Sequence, residues 1–258
     1  MNRLAIHESA AADLSPTELV DVAAVTGFDS VGLKVAHSPG ADRWWTKGAG
    51  SAELRSLVEH LLTNRVSVLD VGRVELGAAA DQESYRRVLD LASRFGARYV
   101  TASGVPSGEQ PTSVTEQFGA LVADCDDYQL IPLLVPVPGT EVTTIAAALD
   151  VVRSVGGAVV LTVSTSRSAF EIETEVLEAG NRLGYLRLLA QDLDGATEDG
   201  AAGLLATVPV HVPIAVGSLG AYSAEDLASR AGRWSRLIDL MLEHPLARAR
   251  RLGSGGQG

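Results

Sequence analysis

The sequence predicts an α/β protein built as a single (β/α)8 barrel. Three observations lead there. Short apolar runs alternate with amphipathic stretches along the whole chain, at a spacing of roughly 30 residues, the length of one strand-plus-helix unit. The runs are rich in Val, Ile and Leu with little polar alternation, as expected of parallel strands covered on both faces. Eight such units follow one another in 258 residues with no linker or shift of composition, and eight right-handed crossovers close most naturally on themselves. A doubly wound open sheet is the alternative, but no GxGxxG follows the first run.

The elements follow in order. Strand one is expected at residues 4–7. Ser15-Pro16-Thr17-Glu18 then opens the first helix, with a capping serine, proline at the first helical position and Glu three after the cap; Gly27 ends it. Strands are expected at 31–35, 66–71, 98–102, 131–135, 158–163, 186–190 and 211–216. Helical patterns cover 51–64, 84–95, 112–126, 142–155, 170–183 and 224–243, with a shorter helix within 197–206. Residues 1–252 read as one domain, and 253–258 (GSGGQG) as a disordered tail.

Composition narrows the function. Lys and Arg number 21 against 32 Asp and Glu, and the net charge of −11 argues against nucleic acid or an anionic membrane as partner. The single cysteine, Cys125, excludes an internal disulfide and a Cys-based zinc cluster. The start lacks the apolar run of a signal peptide, and no apolar stretch approaches 18 residues. A soluble cytoplasmic protein acting on a small molecule is expected, with a homodimer left open.

In such a barrel the reacting groups come from the C-terminal ends of the strands and the loops that follow. His60 and His244 fall in helices and His211 at the start of strand eight, which leaves His7 and His37 at the productive end. His7 is a candidate acid or base with Glu8 beside it, although neighbours on a regular strand face opposite ways. In strand two, Val31, Leu33 and Val35 form one side, so Lys34 should point into the mouth, able to hold an anion or polarise a carbonyl. The loop from His37 to Gly50 carries Trp44 and Trp45, apolar surface for a lid. Strand three ends with Asp70, Arg73 and Glu75; Ser164 and Arg167 follow strand six; Gln191 and Asp192 follow strand seven. Each is a candidate for the mouth, with ion-paired scaffolding as the alternative. No GxSxG, HxExH or HExxH pattern occurs.

Several phrases resemble the xylose-isomerase-like TIM barrels, the sugar phosphate isomerase/epimerase and AP-endonuclease-2 group. The segment 14–33 (LSPTELVDVAAVTGFDSVGL) looks like the group's opening helix and second strand, 66–71 like its third strand and 95–100 like its fourth. Residues 130–152 and 158–167 follow its strand-five and strand-six layout. Members of that group hold a divalent metal, and the resemblance places the four ligand slots on Val135, Ser164, Leu189 and Gly217. The catalytic His that follows strand six falls on Arg167, the acid two after Asp70 falls on Gly72, and Asp192 is kept. Val, Leu and Gly side chains offer a metal no donor, so neither a metal nor another cofactor is expected.

The expectation is therefore a metal-independent isomerase, epimerase or lyase of the dehydratase or cyclase type, enolising a small, fairly apolar carbonyl compound. Lys34, Arg73 or Arg167 would hold the oxyanion, while His7, Glu8, Glu75 or Asp192 would move protons. His37, Trp44, Trp45, Asp70, Val135, Ser164 and Gln191 would line the substrate. The alternative is a barrel that binds a small molecule or protein without catalysis.

Overall fold

The structure is a computed structural model that describes residues 3–10, 14–34, 51–77, 82–106, 113–164, 167–197, 205, 208–218 and 222–243. His37, Trp44, Trp45, His244 and the tail lie outside the described residues. Eight parallel strands close a barrel: β1 (Leu4–His7), β2 (Ser30–Lys34), β3 (Ser67–Leu76), β4 (Tyr99–Gly104), β5 (Ile131–Leu134), β6 (Ala158–Val163), β7 (Leu183–Leu189) and β8 (Ile214–Gly217). The last pairs with the first, Leu4 opposite Ile214 and Ile6 opposite Val216. The described helices are α1 (Pro16–Thr26), α2 (Ala52–Asn64), α3 (Gln82–Arg94), α4 (Val114–Asp127), α5 (Ile145–Val155), α6 (Ala169–Ala179), α7 (Ala190–Gly195) and α8 (Ala224–Glu243). No helix among the described residues is long and apolar enough to cross a membrane.

The caps legible in the sequence are present. Ser15 accepts from the Glu18 amide while the Glu18 carboxylate accepts from the Ser15 amide, and Gly27 ends α1 at φ 86°. The same reciprocal pair starts α4 with Ser113 and Glu116, and α6 with Ser168 and Glu171.

Several boundaries differ from the sequence reading; β7, for one, starts at Leu183, and α6 ends at Ala179. β3 runs on to Leu76 because β4 continues to pair with it, Leu76 opposite Gly104, so Arg73 and Glu75 lie within a strand. β8 starts later: the Val212 amide bonds to the Pro209 carbonyl in a turn, which leaves His211 exposed before the strand. The polar stretch after β7 is the short helix α7, carrying Gln191 and Asp192.

Two apolar layers set which side chains reach the interior. Ile6, Val31, Leu33, Val71, Leu186 and Val216 pack outward against the helices. Ala5, Leu69, Tyr99, Leu133, Val135, Val160, Tyr185 and Ala215 fill the barrel itself. Alternation then turns His7, Gly32, Thr101, Arg187 and Gly217 inward at the C-terminal end.

Asp194, in α7, ties this end of the barrel to α8. Its Oδ1 accepts from the indole N–H of fully buried Trp234 at 2.9 Å, and its Oδ2 accepts from Tyr222 and pairs with Arg230. Asp194→Ala would leave the Trp234 N–H unpaired in the core. A loss of about 2–3 kcal/mol is expected, read as a lower urea midpoint with an unchanged m-value.

Candidate active site

A polar chain crosses the inside of the barrel from β1 to β7. Asp70, fully buried, stands at its centre. It faces inward because of an irregularity: between β2 and β3 the register passes from Val31–Val68 to Gly32–Asp70, so Leu69 and Asp70 lie on the same side. Its Oδ2 accepts from the Tyr185 hydroxyl at 3.2 Å and lies 3.7 Å from His7 Nε2. Its Oδ1 has no hydrogen-bond partner among the described residues. Gly32 makes the arrangement possible, since a Cβ there would meet Asp70 Oδ1 and His7 Cδ2 at 2.4 Å each.

His7 ends β1, and the chain turns at once into a 3-10 segment, Glu8–Ala10. That turn brings the Ser9 amide to His7 Nδ1 at 3.0 Å, with the Ser9 hydroxyl at 2.9 Å. An amide can only donate, so Nδ1 is the acceptor and the neutral ring carries its hydrogen on Nε2, the nitrogen on the Asp70 side.

Arg187 closes the chain on β7. Its Nη2 donates to the Tyr185 hydroxyl at 2.8 Å, and its guanidinium carbon lies 5.7 Å from the Tyr185 ring centroid. Its Nε is buried without a hydrogen-bond partner among the described residues. Burial works against the guanidinium charge, but attraction from Tyr185 and Asp70 outweighs it and the pKa is raised, so Arg187 stays a cation. Burial, reinforced by Asp70 and opposed by Arg187, drives the Tyr185 pKa upward. Tyr185 is thus a neutral phenol that accepts from Arg187 and donates to Asp70.

The other candidates are placed as follows. Glu8 is buried, and its Oε2 accepts from the Lys34 amide at 2.6 Å, pinning the end of β2. Lys34 shares the inward side with Gly32, and its side chain is exposed at the rim. Arg73 and Glu75 are exposed and pair with each other at 3.3 Å. Arg167 grips Glu175 of α6 with two bonds, 2.8 and 2.7 Å, which ties it to the helix layer. Val135 is buried in the inner apolar layer, Ser164 and Asp192 are half-buried, and Gln191 is exposed. The site thus joins His7 and Asp70, while Arg73, Glu75 and Arg167 are committed to pairs of their own.

Tyr185, Arg187 and Ser9 are absent from the sequence reading. The signal for the first two was there: Leu186 and Leu188 form one side of β7, which turns Tyr185 and Arg187 inward, the same alternation that singled out Lys34.

The residues present do not fit the divalent metal that the resemblance implies. Val135 belongs to the apolar interior, and a Cβ at Gly217 would lie 3.2 Å from Arg187 Cδ and 3.1 Å from Ser9 Oγ. The space above the strand-eight slot is thus taken by an arginine stem. Among the described residues no group of three or more His, Cys, Asp or Glu could hold an ion.

No family model and no curated protein matches the chain. Solved structures share its fold. A xylose isomerase-like TIM barrel/4-hydroxyphenylpyruvate dioxygenase fusion protein superposes with a TM-score of 0.71 at 16% identity, covering 98% of this chain and 44% of its own. The present chain therefore spans less than half of that protein. D-allulose 3-epimerase from Methylomonas sp. gives 0.69 at 17% identity, covering 93% of this chain and 98% of its own. A probable 3-DHS dehydratase from Bacillus anthracis gives 0.64 at 12% identity, covering 93% and 99%. The chain has the xylose-isomerase-like TIM barrel fold.

Proposed function

We propose that the barrel enolises a small carbonyl compound in its mouth without a metal, as an isomerase, epimerase or lyase. The observation that carries this reading is the chain Arg187–Tyr185–Asp70–His7, which sets a cation and a neutral imidazole N–H around one buried carboxylate where the fold does its chemistry. The epimerase and dehydratase among the structural neighbours catalyse reactions of the kind this chemistry serves.

The roles divide by chemistry. Asp192, half-buried in α7, takes the proton from the carbon next to the carbonyl, and the C–H electron pair becomes the C=C bond. The carbonyl oxygen gains the charge, Arg187 faces it, and the His7 Nε2–H donates a hydrogen bond to it while keeping its proton. Return of a proton to either carbon completes isomerisation or epimerisation, and loss of a β-hydroxyl as water completes dehydration. Asp70 and Tyr185 act as positioning residues, since both are fully shielded.

That shielding favours a second reading, a barrel that binds without catalysis and uses the chain as structure. Deuterium uptake separates the two. Small ketoses and 2-oxo acids incubated with the protein in deuterated water should lose α-hydrogen by NMR, and His7→Asn should slow this by about 10²-fold. Absence of exchange across the panel would leave the binding reading.

A further inference from the structure

Among the described residues, Arg187 keeps hydrogen-bonding capacity that its neighbours leave unused. Arg187 spends Nη2 on Tyr185, while Nε, buried, has no partner among the described residues. A guanidinium offers its donors as a fork, and the Nε side matches the two oxygens of a planar anion. The fork is held in place: the stem lies against Gly217, the guanidinium carbon is 5.7 Å from the Tyr185 ring centroid, and Tyr185 is itself held by Asp70. Such fixing lowers the entropy lost when an anion binds.

From this geometry we infer that the substrate carries a carboxylate, and that Arg187 receives it. The inference rests on the proposed reaction site and names the substrate class for it: small 2-oxo or 3-oxo acids, whose carboxylate lies within one or two bonds of the reacting carbonyl. A phosphate ester fits less well. Val135, just past β5, is apolar where a phosphate needs donors for the oxygens that the guanidinium fork leaves over. Selectivity against uncharged ketones follows, because they would leave the Nε–H unpaired.

Calorimetric titration with the chelator-treated full chain tests this with oxalate and pyruvate, against hydroxyacetone and inorganic phosphate. Oxalate and pyruvate should bind saturably with Kd of about 1 mM or below. Arg187→Met should weaken both at least about tenfold, a larger loss than it causes for hydroxyacetone, and Arg187→Lys should recover only part of the loss. If Arg187→Met fails to fold, the double variant Arg187→Met/Asp70→Asn removes the stranded charge and the same loss should be read there. Undiminished oxalate binding in the variant, tighter phosphate than oxalate, or no saturable oxalate binding would each overturn the inference. Carboxylate binding that depends on Arg187 with no deuterium exchange would preserve it and defeat the enolisation reading. Exchange confined to uncharged ketones would do the reverse.

Discussion

Arg187→Met is expected to lower turnover by about 10³-fold, the scale on which loss of an oxyanion donor in a shielded site is felt. The reason is specific to its surroundings. Arg187 donates to Tyr185 and faces Asp70 through it, so methionine removes both the cation and the hydrogen bond that orients the phenol. Stability should fall by about 3–5 kcal/mol, because Asp70 is left charged and fully buried without its compensating partner. Thermal or urea unfolding checks that part. Adding Asp70→Asn should restore some of the loss, since the double variant no longer buries a lone charge.

Asp70→Asn should lower turnover by about 10²- to 10⁴-fold with the protein still folded. An amide keeps the shape but not the charge. The side chain can still accept from Tyr185 through one oxygen, while the negative charge opposite Arg187 and beside His7 Nε2 is gone. A His7 ring that has gained a proton would then lack its counter-ion. Kinetics on the variant should show kcat reduced far more than KM rises, since Asp70 is shielded and acts through its neighbours.

Much of the fold was legible in the sequence because local physics and global architecture agree. Ser15, Pro16, Glu18 and Gly27 mark the limits of α1 through capping and a left-handed backbone, and the apolar strands recur at the length of one βα unit. The candidate site was legible in part. His7 follows from its place at a strand end, and the inward side of Lys34 from alternation. The inward turn of Asp70 depends on an extra residue at Leu69, which a strict two-residue period does not reveal. Arg167 looked like a mouth cation because its partner, Glu175, is eight residues away across a helix cap, a pairing no local spacing predicts. Arg187 was hidden by its neighbours Leu186, Leu188 and Leu189, which made β7 read as uniformly apolar although its alternation was clear.

Under the proposed function an arginine-centred chain, not a metal, supplies the electrostatics of this barrel mouth. The most direct measurement is deuterium incorporation into 2-oxo acids by chelator-treated protein, with and without added magnesium or manganese, for the wild type and Arg187→Met. Exchange should persist in chelator, gain nothing from either ion, and fall about 10³-fold in the variant. Exchange that appears only when a divalent ion is restored, and that Arg187→Met leaves intact, would contradict it.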